Sequence, residues 1–138
     1  MPLPLIYHDD YSPEFPAEHR FPMDKFRLLR DHLVDSGLTR DADLLRPELC
    51  PAEILALAHD PAYIERYMSG ELSREDQRRL GLPWSEALAR RTVRAVGGAM
   101  LAAAQARGHG QACHQGGGPP PAHDDYPAGV GVVHGRGG

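Results

Sequence analysis

Eight histidines, His8, His19, His32, His59, His109, His114, His123 and His134, are many for a chain of 138 residues. A helical zinc site needs two of them four residues apart, so that both rings leave one face. No pair has that spacing. Cys50 and Cys113 are too far apart in the chain to give a Cys-x-x-Cys ligand pair, and two cysteines specify no disulfide framework. His123-Asp124-Asp125 sets metal-ligating residue types in a row, but in a Gly- and Pro-rich stretch such a run reads first as a solvated loop. Gly116-Gly117-Gly118 has the glycines of a phosphate cradle and lacks the Lys and Ser/Thr that must follow them. His32 and His59 read as ordinary surface or partly buried side chains. Spacing alone therefore assembles no site, and no catalytic, cofactor-binding or metal-ligating residue is assigned.

The elements that would carry these residues are legible from periodicity. Leu3 to Tyr7 reads as a short strand, limited by Pro4. Met23, Phe26, Leu29 and Leu33 recur at helical spacing, with Pro22 before and Gly37 after, which predicts a helix over 23–36. Leu44-Leu45 is ambiguous. Pro51 opens a short helix to Leu57. Asp60 is placed to cap a helix over 61–69 that Gly70 ends, and Ser73 with Asp76 suggests another cap. Ser85 caps the longest helix, 86–107, with Leu88, Val93, Val96, Met100 and Leu101 taken as its apolar face. Gly97-Gly98 inside it costs about 1 kcal/mol per Gly relative to Ala, which is tolerated best where another backbone approaches closely. Gln111 to Gln115 reads as a buried strand running into a glycine loop, where open α/β sheets place ligands. The expected fold class is α/β, with the two strands as parallel neighbours.

Composition narrows the function classes. Fifteen Lys and Arg against 19 Asp and Glu give a formal charge of −4, which argues against a nucleic-acid module held by phosphate contacts. The hydrophobic share of 41% and charged share of 25% suit a globular protein. The longest apolar run, Ala95 to Ala104, is half a membrane span, so no membrane association is expected. The N-terminus lacks the basic segment of a secretory signal, and a reducing cytoplasm is the expected compartment. Residues 116–138 hold 8 Gly and 4 Pro, 12 of 23 positions, and cannot build a core of their own. The chain thus divides into 1–115 and a Gly/Pro-rich segment 116–138.

Longer motifs say more. Tyr7-His8-Asp9-Asp10-Tyr11-Ser12-Pro13, followed by His19-Arg20-Phe21-Pro22-Met23-Asp24-Lys25-Phe26, resembles the opening of the zinc-dependent histone deacetylase family. The branch in question holds bacterial acetoin-utilisation proteins and acetylpolyamine amidohydrolases. His59-Asp60-Pro61-Ala62-Tyr63-Ile64, Gly81-Leu82-Pro83-Trp84 and Arg90-Arg91-Thr92-Val93-Arg94-Ala95-Val96-Gly97-Gly98 resemble its later blocks, in the family's order. The resemblance implies the N-terminal part of an arginase–deacetylase-type α/β fold, a parallel sheet with flanking helices, incomplete at this length. It implies hydrolysis of acetyl-amide bonds on acetyl-lysine or an acetylpolyamine. In the intact family two Asp and one His hold a zinc that polarises the carbonyl and activates water. An adjacent pair of histidines serves as general base and acid, and a Tyr stabilises the oxyanion.

The same resemblance shows what this chain lacks. The family's Gly-Gly-Thr-His-His-Ala-His-x-Asp-Tyr-Pro-Ala-Gly-Phe-Cys becomes Gly117-Gly118-Pro119-Pro120-Pro121-Ala122-His123-Asp124-Asp125-Tyr126-Pro127-Ala128-Gly129-Val130-Gly131. Pro120 and Pro121 stand where the histidine pair belongs, and proline has no side-chain proton to move. The departures at Pro119, Pro120, Pro121, Val130 and Gly131 are each one base change, A to C or T to G, and read as a decayed or misread gene end. The zinc-ligand motif is not in these 138 residues. The expectation is a catalytically incomplete piece of such a hydrolase, binding no zinc as written. The alternative is a non-catalytic binding or regulatory module derived from that family.

Overall fold

A computed structural model describes residues 3–116 and the backbone of residues 131–134. Three short strands are present: β1 (Leu5–Ile6), β2 (Gln111–His114) and β3 (Gly131–His134). Five helices lie between β1 and β2: α1 (Lys25–Asp35), α2 (Ala52–Leu55), α3 (Pro61–Ser69), α4 (Arg74–Leu80) and α5 (Glu86–His109). The strand order is β1-β2-β3. β1 pairs parallel to β2, with Leu5 opposite Cys113 and Ile6 opposite His114. β3 pairs antiparallel to β2, with Gly131 opposite His114.

The expected α/β class, and with it the arginase–deacetylase-type parallel sheet with flanking helices, is corrected here. Among the described residues helix predominates, and the small sheet is mixed. The physical reason lies between β1 and β2. That stretch is occupied by capped helices, and the ambiguous Leu44-Leu45 contributes a single parallel bridge from Leu45 to Ile6 in place of a strand. The local elements and the parallel neighbours β1 and β2 nevertheless form where periodicity put them.

Capping chemistry fixes the helix boundaries. The Asp60 carboxylate accepts from the Ala62 N–H at 3.0 Å, the Ser73 hydroxyl from Asp76 at 3.1 Å and the Ser85 hydroxyl from Leu88 at 3.0 Å. Gly70 and Gly81 end α3 and α4 in left-handed backbone, at φ of 77° and 68°. Trp84 covers Gly70, where a Cβ would press on the indole ring, and its Nε1–H donates to the Tyr67 carbonyl at 2.7 Å. Tyr67 in turn shares a 2.7 Å hydroxyl hydrogen bond with Thr92, which ties α3 to α5.

α5 is the organising element. Its buried positions include Leu88, Arg91, Ala95, Gly98, Ala102 and Ala106, a stripe at spacings of three and four. The stripe expected from the larger apolar residues is corrected in part: Leu88 and Val93 are buried, while Met100 is 43% exposed. Small residues win because other groups come close. A Cβ on Gly97 would overlap the Glu48 carbonyl oxygen, so the expected close backbone approach is realised there. Ile6, Ala102, Ala106 and Ala112 form one apolar cluster. Tyr7, Tyr11, Met23, Phe26, Leu44, Leu88 and Ala95 form another. Burying a side chain the size of Phe26 or Leu88 contributes roughly 1.5–3 kcal/mol. Among the described residues no helix is long and apolar enough to cross a membrane.

Candidate functional site

Three polar side chains converge between these clusters: Tyr11, Arg91 and His114. Tyr11 ends a single 3₁₀ turn, Asp9–Tyr11, which His8 caps by accepting the Asp10 N–H on Nδ1 at 3.0 Å. Arg94 fastens this turn to α5. Its Nε donates to Asp10 Oδ2 at 3.0 Å and its Nη1 to the Pro47 carbonyl at 3.1 Å. His114 closes β2, where parallel pairing with Ile6 fixes its position.

The Tyr11 hydroxyl lies 2.8 Å from His114 Nε2, and the two rings meet edge to face with centroids 5.5 Å apart. Both residues are buried. Gly98 and Gly116 make the space: a Cβ on either would overlap both Tyr11 and His114. Arg91, only 6% exposed, spans the same place. Its Nε donates to the Tyr11 carbonyl at 2.8 Å and its Nη2 to the Gly116 carbonyl at 3.1 Å. Its guanidinium stands 4.6 Å from the centre of the Phe26 ring. Carbonyl dipoles and a ring face thus answer a buried cation that has no carboxylate partner among the described residues.

Burial dominates the electrostatics. It pushes His114 down to about 4, with Arg91 adding to the effect. It pushes the Tyr11 phenol up, against the opposing pull of Arg91. It lowers Arg91 to about 10, a value that still leaves the guanidinium charged at neutral pH. The imidazole and phenol are therefore both neutral and hydrogen-bonded to each other. The cluster holds backbone in place: through Arg91 it fixes Gly116, the residue from which the 117–121 segment departs. Gln115, fully buried, donates its backbone N–H to the Ile6 carbonyl at 2.9 Å, while its side-chain amide has no partner among the described residues.

Among the described residues, those singled out by type and spacing do not assemble into a metal site. His32 and His109 are exposed and His59 half-buried. His19 is structural, accepting the Phe21 N–H at 3.0 Å and lying 3.2 Å from the Gly81 carbonyl. Gly117 and Gly118, Pro119 to Pro121, His123-Asp124-Asp125 and Val130 lie outside the described residues. Among the described residues no three His, Cys, Asp or Glu side chains converge as a metal would need. His114 Nε2 is already engaged by Tyr11. The described residues do not by themselves supply a zinc ligand set.

Tyr11 falls in the block 7–13 and Arg91 and Gly98 in the block 90–98, but nothing in either block says that these residues meet. The local signal for burial is the i, i+3/i+4 stripe through Leu88, Arg91, Ala95 and Gly98, which places an arginine on the buried face of α5.

No protein-family model matches the chain. It is 42% identical over 134 residues to an uncharacterized protein of Picosynechococcus sp., a match that takes in 97% of this chain and 45% of that relative. The chain spans about half the length of the curated relative it matches.

Proposed function

We propose that the chain corresponds to part of a cytoplasmic, zinc-dependent hydrolase of the histone deacetylase family. The whole protein would cleave acetyl-amide bonds on a small-molecule or peptide substrate, acetyl-lysine or an acetylpolyamine. The observation that carries the reading is the ordered series of blocks from Tyr7-His8-Asp9-Asp10-Tyr11-Ser12-Pro13 to Tyr126-Pro127-Ala128-Gly129. Two features support it. Blocks far apart in sequence meet at one place, where Arg91 and Gly98 touch Tyr11 and the residues leading into Gly117-Gly118. The Picosynechococcus relative has more than half of its length beyond the match, room for a zinc-ligand motif. With proline at positions 120 and 121, the 138 residues alone lack the family's histidine pair, and no turnover is expected of them.

The test joins the relative's remaining sequence to this chain at two points, after Gly118 and after Gly138. The relative itself is assayed beside them, all with zinc, on an acetyl-lysine peptide and an acetylpolyamine. The relative and the Gly118 junction should turn over. The Gly138 junction, which keeps Pro120 and Pro121, should be slower by about 10²-fold or more. A relative inert on both substrates would sink the reading. Equal activity in both chimaeras would show that the prolines are compatible with catalysis.

A further inference from the structure

Of the described histidines only His114 is buried, at 3% exposure. The described residues around it come from one turn, α5, β1 and β3. The 9–11 turn presents the Tyr11 hydroxyl, and Tyr7 stands edge-on behind that ring at 5.8 Å. α5 presents Gly98, which has no side chain, and the Arg91 guanidinium. β1 sets apolar Ile6 opposite, and β3 sets Gly131 opposite. His134 of β3 is paired with Gln111, at the other end of β2. The nearby carboxylate of Asp10 is taken by Arg94 and His8. A second proton on the imidazole would therefore add a cation beside Arg91, with burial removing water and no described carboxylate to answer it.

We propose that the Tyr11–His114 contact is an acid-released latch. Protonation of His114 drives the imidazole out of its seat at Gly98. That frees the 9–11 turn and, through Arg91, the backbone at Gly116. The inference does not depend on the hydrolase reading, since every group in it lies within the described fold. The direction of the linkage follows from the depressed value of about 4 against the ordinary 6.5. The unfolded or released form binds the extra proton first. The latch is fully closed above pH 6.5, and its contribution is lost as pH falls toward 4.

The experiment uses the full 138-residue chain and its His114→Gln variant, which keeps a hydrogen-bonding side chain and cannot titrate. Unfolding equilibria are measured from pH 7.5 to 4.5. The unfolding constant of the wild type, relative to the variant, should rise about tenfold per pH unit once pH falls below 6.5. A ratio that stays flat would overturn the proposal. In parallel, the imidazole of His114 and the ring of Tyr11 are followed by NMR in the wild type, which decides the matter if the variant does not fold. Both sets of resonances should change together, at one midpoint below the ordinary imidazole value. An imidazole that titrates while the Tyr11 ring stays unmoved would also overturn it.

Discussion

Arg91 and Arg40 each donate two hydrogen bonds from one guanidinium, yet they do different work. Arg91 is buried and grips the carbonyls of Tyr11 and Gly116 from the second turn of a 24-residue helix. Arg40 lies on the surface, its Nε and Nη2 forked onto the Asp43 carboxylate at 2.9 and 3.2 Å. The Arg40 corner is the more strongly charged of the two, with Asp41 also bridged by Arg46 at 3.0 Å and Arg30 at 3.7 Å. By count of ion pairs it looks the better secured. What differs is the fate of the partners when the arginine is taken away. Asp43 would return to water, which solvates it fully, while the two carbonyls held by Arg91 would be left dry and unpaired. The strength of a contact is set by what replaces it.

Substitutions can break this comparison at several points. The largest effect is expected at Gly97→Ala. The new methyl group meets the Glu48 carbonyl oxygen, which as backbone cannot swing aside. A loss of about 3 kcal/mol is expected in urea denaturation. Tolerance of that methyl group would mean that the close approach to α5 is loose, and the buried region would lose its claim to tight packing. Arg91→Leu comes next, at about 2 kcal/mol, because it removes a cation–ring contact and orphans two buried carbonyls. Arg40→Ala should leave the thermal midpoint where it is, in low salt and in 1 M salt alike. If Arg40→Ala and Arg91→Leu lowered the midpoint equally, burial would not be what separates the two arginines.

Much of the scaffold was legible because its signals are local. Asp60, Ser73 and Ser85 sit at the caps their residue types suggest, and Gly70 ends its helix in left-handed backbone. The Gly97-Gly98 pair advertised a close approach, and the Glu48 carbonyl makes it. The cluster itself was not legible. Tyr11 and His114 are 103 residues apart, and no periodicity links them. Arg91 stands in the block 90–98 between Arg90 and Arg94, and nothing in that block marks which of the three arginines is buried. The α/β expectation overreached for a related reason. Two strand signals were correctly placed, but how many strands share a sheet is a property of long-range pairing. Here the Leu45 segment yields one bridge where a strand would have widened the sheet.

Trp84 gives the molecule a built-in optical partition. It is the single tryptophan of the chain, and its indole caps the end of α3, bonded to the Tyr67 carbonyl and laid over Gly70. Its emission therefore reads the α3 end and nothing of the Tyr11 cluster directly. Tyr7 and Tyr11, edge to face at 5.8 Å, are a coupled pair of chromophores at the cluster, apart from the Tyr63–Tyr67 stack on α3. Two colours of light thus interrogate two places along one helix, its start and the stretch from Arg91 to Gly98, and any lag between them on dilution from denaturant would time the order in which α5 acquires its neighbours.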